Sequence, residues 1–190
     1  MNERFLYHGT IYSFEEVKIL DESSQYKDFG KGFYLSDVDT KANRFARIRK
    51  DRADRIEREK KKINKAYKMK NIIGYRYDFI FYEDLAYNNL RIKKFDSIDA
   101  EWLKFVMLSR LGVCKENYDI VIGPIADDNT KVILSPFDTV DKVMRLTDVQ
   151  CARIIDELCH NKIDMQYVFK TERSLKFLKF RYDRKRVIVC

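Results

Sequence analysis

The stretch Phe29-Gly30-Lys31-Gly32-Phe33-Tyr34-Leu35-Ser36-Asp37 decides how the chain is read. Two glycines one residue apart mark a turn, and the aromatic and apolar run after them predicts a strand fed directly by that turn. Asp37 or Asp39 stands where a short carboxylate caps a helix by accepting its free first-turn amides. The spacing predicts that helix from about Thr40 to Met69, with Ala42, Phe45, Ala46, Ile48 or Arg49, Ala53, Ile56, Ile63 and Ala66 as a sparse apolar stripe. Its other faces are nearly all charged.

On the N-terminal side, Phe5-Leu6-Tyr7 predicts a short strand ending at His8-Gly9-Thr10, and the polar residues from Asp21 to Gln25 predict a loop. On the C-terminal side, aromatic alternation predicts a strand over Tyr75 to Tyr82 and a second around Asn89 to Phe95. An amphipathic helix is expected from Asp99 to Arg110, with Trp102 and Phe105 as core residues, and a buried strand from Tyr118 to Pro124. A further helix is expected between Thr147 and Cys159, capped by Thr147 or Asp148, with Val149, Ala152, Ile155 and Leu158 on one face. Strands over Met165 to Lys170 and Arg186 to Cys190, with a short turn or helix from Glu172 to Leu178, complete the pattern. Strands gathered toward both ends around irregularly spaced helices argue α+β, as one domain over residues 1–190.

The composition supports a folded chain. Of 190 residues, 45% are apolar and 14% aromatic, enough to bury a core, while 6 Gly and 2 Pro leave little room for linkers. The net charge of +8 suggests a nucleic-acid partner, but it is unevenly placed. Lys41 to Lys70 holds 14 basic and 4 acidic residues, and Lys170 to Arg186 holds 8 basic and 2 acidic, so the remainder is acidic. The first segment reads either as a solvated helix or as a surface for an acidic partner, nucleic acid or inhibitor protein. No apolar run is long enough for a membrane span and no signal core opens the chain, so a cytoplasmic protein without a membrane partner is expected. Cys114, Cys151, Cys159 and Cys190 lack CxxC spacing, and His160 is too isolated from His8 for a histidine site, so no metal is expected.

There is no GxSxG elbow, no HExxH and no Walker loop, and the Gly30-Lys31-Gly32 pair is shorter than the GxGxxG of a Rossmann turn. What remains is three segments in order: Leu6-Tyr7-His8-Gly9-Thr10; Phe29 to Asp37 with Lys41-Ala42-Asn43 beyond it; and Gln166-Tyr167-Val168-Phe169. Together they resemble the ADP-ribosyltransferase superfamily in its His-Tyr-Glu branch, which holds the diphtheria-toxin-like enzymes and the poly(ADP-ribose) polymerases. A bacterial group of uncharacterised ADP-ribosyltransferase-like domains resembles the chain over nearly its whole length.

The resemblance implies two small packed antiparallel sheets with flanking helices, to which this chain adds the long basic helix, and NAD as substrate in the cleft between the sheets. His8 would hydrogen-bond the adenine-side ribose, Gly9 would hold the nicotinamide carboxamide through its backbone, and Thr10 would assist with its hydroxyl. Tyr34 would stack on the nicotinamide ring with Phe45 as a second aromatic, and Lys31 would contact the diphosphate. Taken singly, Tyr34 and Phe45 read equally well as core aromatics. Loss of nicotinamide proceeds through an oxocarbenium-like transition state, which nearby negative charge or strong acceptors stabilise. The branch places a glutamate for this purpose where the chain has Gln166, an acceptor without charge. Glu172 would stand roughly 20 Å further along an extended strand, too far to replace it. Asp164, two residues before Gln166, occupies the offset that helps select the acceptor in related enzymes.

These expectations give a mono-ADP-ribosyltransferase that modifies a protein or nucleic-acid acceptor, because chain elongation depends on the missing glutamate. The resemblance further suggests a toxin of a toxin-antitoxin or phage-defence pair, with an antitoxin protein as partner. The alternative is an inactive NAD-fold binding module acting through the basic helix.

Overall fold

A computed structural model describes residues 2–20, 27–114, 117–126, 130–158 and 164–188, apart from the side chains of 131, 182 and 184. The loop expected at Asp21 to Gln25, together with Cys159, His160 and Cys190, lies outside these residues. The fold is mixed α+β, with strands flanked by helices in the order β1 (Glu3–Thr10), β2 (Phe33–Ser36), α1 (Asp39–Ile63), β3 (Gly74–Tyr82), α2 (Glu83–Asn89), β4 (Ile92–Lys94), α3 (Ala100–Arg110), β5 (Ile120–Pro124), α4 (Thr130–Leu134), α5 (Val140–Met144), α6 (Asp148–Leu158), β6 (Met165–Phe169), α7 (Glu172–Leu175) and β7 (Leu178–Ile188). The chain divides into two compact units. The first comprises Met1–Val17, Leu35–Glu83 and Leu178–Cys190, and the second Lys18–Tyr34 and Asp84–Phe177.

In the first unit β3 pairs antiparallel with β1 on one side and β7 on the other, and Tyr7 of β1 faces Ser36 of β2. Side-chain alternation gives these strands two different faces. Leu6, His8, Tyr77, Phe79 and Phe180 share one, where Phe14 stacks on Tyr77 at 4.1 Å and Phe79 on Phe180 at 5.1 Å. Helix α1 covers the other. A Cβ on Gly9 would stand 1.8 Å from the Ala42 carbonyl oxygen, so α1 approaches β1 backbone to backbone. On this side the Arg76 guanidinium is buried, bonded through Nε and Nη2 to Asp78 and through Nη1 to Asp39 in the first turn of α1. Arg76 is thus a buried cation with both acceptors supplied, and it fastens the start of α1 to β3.

The sequence predicts α1, but its ends differ. Its N-cap is Val38, without a side-chain bond, while the Ser36 hydroxyl accepts from the Val38 amide; neither Asp37 nor Asp39 is the cap. The helix stops at Ile63 rather than Met69, because Asn64 is extended and its side chain accepts from the Ala66 amide in a turn of its own. Of the expected stripe only Ala42 and Ala46 are fully buried; Ile56 and Ile63 are exposed. The long charged run stays helical with help from Lys50–Asp54, Glu57–Lys60 and Glu59–Lys62 pairs at i,i+4 or i,i+3 spacing. Asp39 in its first turn and Lys60, Lys61 and Lys62 in its last complement the helix dipole.

The second unit is built around β5, buried along its whole length, which pairs antiparallel with β6 and parallel with β4. The parallel pair departs from the all-antiparallel expectation. Phe29, Phe95, Trp102, Phe105, Val121 and Val168 belong to its core, so Trp102 and Phe105 are core residues as their helical spacing predicts. Asp99 caps α3 by accepting from the Trp102 amide at 2.8 Å. Before α6, Thr147 and Gln150 exchange bonds as a capping box, but the buried face is Cys151, Ile154 and Leu158. Val149 and Ala152 are exposed, because the inward stripe begins at a cysteine that behaves as a small apolar residue. Strand β7 starts at Leu178, eight residues earlier than expected.

Candidate functional site

In the first unit, β1 carries His8, Gly9 and Thr10. His8 is partly buried opposite Tyr77, with the Phe14 ring edge-on at 6.1 Å. Gly9 points the other way, and its missing side chain is accounted for by the contact of α1. Thr10 is buried at the strand end, its hydroxyl accepting from the Tyr12 amide at 3.2 Å. Phe45 is 44% exposed and sits on α1, over the face that His8 turns away from. His8 and Phe45 are therefore not brought together.

In the second unit, Gly30 takes a positive φ of 73° in a turn closed by its amide to the Lys27 carbonyl, a conformation that favours glycine. A Cβ on Gly32 would meet Val168 Cγ1 at 2.6 Å and the Phe169 carbonyl oxygen at 2.7 Å, so the approach to β6 excludes a side chain. Lys31 lies between them, partly buried. The Tyr34 hydroxyl closes the same turn, donating to the Gly30 carbonyl at 2.6 Å and accepting from the Phe29 amide at 3.1 Å. Burial, and then the Asp28 carboxylate, push that phenol well above its ordinary pKa, so it stays protonated as a donor. The Lys27 ammonium lies 4.8 Å from the ring centroid.

Gln166 is buried in β6 opposite Gly123. Its Nε2 donates to the Pro124 carbonyl at 3.2 Å and to Asp28 at 3.4 Å. Both neighbours are acceptors, which fixes the amide with its nitrogen toward them. Asp28 in turn receives Arg110 through Nε at 2.9 Å and Nη2 at 2.6 Å. Arg110, Asp28 and Gln166 thus form one polar chain, and the Gln166 Oε1 accepts nothing from the described residues. Asp164 is buried just before β6, and its carbonyl accepts from the Ile125 amide. Glu172 opens α7 and accepts from the Ile19 amide at 2.8 Å, a structural tie consistent with its exclusion from the site.

Sequence reading missed Asp28 and Arg110. Asp28 directly precedes the quoted motif, so proximity could have flagged it; Arg110 is 82 residues away, with no sequence signal linking the two. Among the described residues no group of His, Cys, Asp or Glu is placed to hold a metal ion, and no helix is long and apolar enough to cross a membrane. The first unit thus offers a partly buried imidazole, and the second a protonated phenol and an amide carbonyl, all hydrogen-bonding or stacking groups.

No curated protein and no solved structure matches the chain. Residues 5–180 match a family described as a protein of unknown function, DUF3990. That match covers most of the sequence, and the chain belongs to the DUF3990 family.

Proposed function

We propose that the protein is a mono-ADP-ribosyltransferase with an ADP-ribosyltransferase-like fold, which cleaves NAD and transfers ADP-ribose to a protein or nucleic-acid acceptor. The observation that carries this reading is that His8, Tyr34 and Gln166, matched by order and type to the triad segments, each fall within a strand, β1, β2 and β6. His8 holds the ribose, Tyr34 offers a ring face to the nicotinamide, and the Oε1 of Gln166 accepts from a ribose hydroxyl while its nitrogen is anchored. Asp164 contacts the acceptor. Phe45 has no part in this arrangement.

The test is incubation of the chain with labelled NAD and a cell lysate, with released nicotinamide followed in parallel. The wild type labels an acceptor, and His8→Ala lowers labelling by about a hundredfold or more while keeping its melting temperature. Tyr34→Phe, which keeps the ring but not the hydroxyl, retains labelling better than Tyr34→Ala. Equal labelling by wild type and His8→Ala would remove the site assignment.

One observation favours a second reading. Gln166 supplies an anchored neutral amide where the branch has a carboxylate, which suits a module that binds NAD without turnover. Calorimetric binding of NAD with no nicotinamide release selects this reading.

A further inference from the structure

The outer face of α1 carries a row of exposed cations. At about 100° per residue, Arg44, Arg47, Arg55, Arg58 and Lys62 fall within an arc of about 80°, opposite the side that carries Ala42, Ala46 and Glu57. All five are exposed, and the row runs about 27 Å along the helix at 1.5 Å per residue. Of the acids in this stretch, Asp54 pairs with Lys50 and Glu57 with Lys60, both off the row, while Glu59 pairs with Lys62 at its end. Asp51 lies in the row between Arg47 and Arg55 but forms no ion pair among the described residues. Arg47, Arg55 and Arg58 likewise have no carboxylate partner among them. Like charges at i,i+3 repel, so Arg55 and Arg58 weaken the isolated helix and would be relieved by an external anion.

We propose that this face of α1 docks the phosphate backbone of a single-stranded nucleic acid, independently of any reaction with NAD. Arginine presents a planar fork that grips phosphate oxygens, and four of the five cations are arginines. The row holds no aromatic to stack a base and no amide to read a base edge, so binding is sequence-independent. The row occupies one arc of the helix and so matches one phosphate backbone, whereas a helix seated in a duplex groove meets phosphates on both flanks. A membrane surface fits poorly, because the exposed apolar residues of α1, Phe45, Ile56 and Ile63, lie about 120° or more round the helix from the middle of the row.

The test is fluorescence anisotropy of the full chain with a labelled 20-nucleotide single-stranded RNA of mixed sequence, repeated across KCl concentrations. At about 0.7 per phosphate contacted, the slope of log K against log salt should lie between about −2 and −3.5. The triple variant Arg47→Gln, Arg55→Gln, Arg58→Gln should flatten it by about 2 and weaken binding at least about tenfold at low salt. The matching triple change to Lys keeps the charge and should keep most of the slope, which separates lost contacts from a damaged helix. Arg153→Gln, Lys176→Gln and Lys179→Gln remove equal charge from exposed positions off α1 and should leave binding nearly unchanged. A wild-type slope near zero, or equal loss in both Gln variants, overturns the proposal. Displacement of the RNA by poly-glutamate as effective as by unlabelled RNA also overturns it, in favour of an acidic protein.

Discussion

The two halves of α1 belong to one helix but are held by opposite means. The first half lies against β1 through Ala42 and Ala46, close enough that Gly9 leaves no room for a methyl group. The second half buries only Glu57, which takes bonds from the Lys60 ammonium at 2.9 Å, the Tyr67 hydroxyl at 2.8 Å and the Lys70 amide at 2.8 Å. These bonds fold the return segment back onto the helix. A sequence with too few apolar residues to pack a face can still fix its course through one buried carboxylate with three donors, provided the carboxylate stays ionised.

The largest effect expected from testing this contrast is at Gly9. Gly9→Ala forces a methyl group against the α1 backbone, where neither side can yield as a flexible side chain would, and should cost more than about 3 kcal/mol. That corresponds to a fall of roughly 10 °C or more in Tm for a chain of this size, read by calorimetry. A fall of only a degree or two would show that α1 is not clamped at this point.

Glu57→Gln should act locally. Global unfolding should shift by a few degrees at most, while amide exchange over residues 57–70 should accelerate well beyond the rest of α1. The same clip predicts a pH dependence. Bonds from the Lys70 amide, Lys60 and Tyr67 hold the Glu57 carboxyl at about 2, below its ordinary 4.5. A carboxyl depressed on folding stabilises fully above its unfolded value and loses that contribution as pH falls toward the folded one. Exchange protection over 57–70 should therefore persist from neutral pH to about 4.5 and decline from there toward pH 2 in the wild type, but be nearly flat over that range in Glu57→Gln. Uniform loss of protection across the whole of α1 would mean that the two halves unfold as one.

The smallest effect is expected at Gly74, where the same helix passes a second glycine. An added Cβ would meet Ile188, the Ala46 carbonyl and the Ala46 side chain at 3.5 to 3.7 Å, which is ordinary contact. Gly74→Ala should leave Tm within a few degrees of wild type, with a slight gain from the less flexible unfolded chain. A loss as large as that of Gly9→Ala would mean that contact with glycine, rather than backbone overlap, holds the first half.

These elements also show what the sequence makes legible. The glycine pair, the aromatic alternation of Tyr75 to Tyr82 and the helical spacing from Asp99 to Arg110 are local signals, and each produces the expected element. Helix α2 follows β3 without a breaking residue, so periodicity runs on through Glu83 and hides the change of structure. In β7 the charges alternate with Leu178 and Phe180, so most of the strand reads only as part of the basic segment from Lys170 to Arg186. The end of α1 turned on one Asn side chain bonding two residues ahead, which composition does not register. For the candidate site, His8 and Tyr34 were legible as types in order. Their surroundings depended on strand parity and on the distant Arg110, neither of which a linear pattern contains.

The anchored amide of Gln166 has a consequence for any attempt to place an acid at this position. A glutamate there would turn a second anion toward Asp28 and a lone pair toward the Pro124 carbonyl, where the Trp102 indole nitrogen also donates at 3.2 Å. Its neighbours would favour the protonated acid, which can still offer a hydrogen but carries no charge. The surroundings of position 166 are matched to a neutral side chain, and a glutamate placed there would not bring its charge unless Asp28 were exchanged as well.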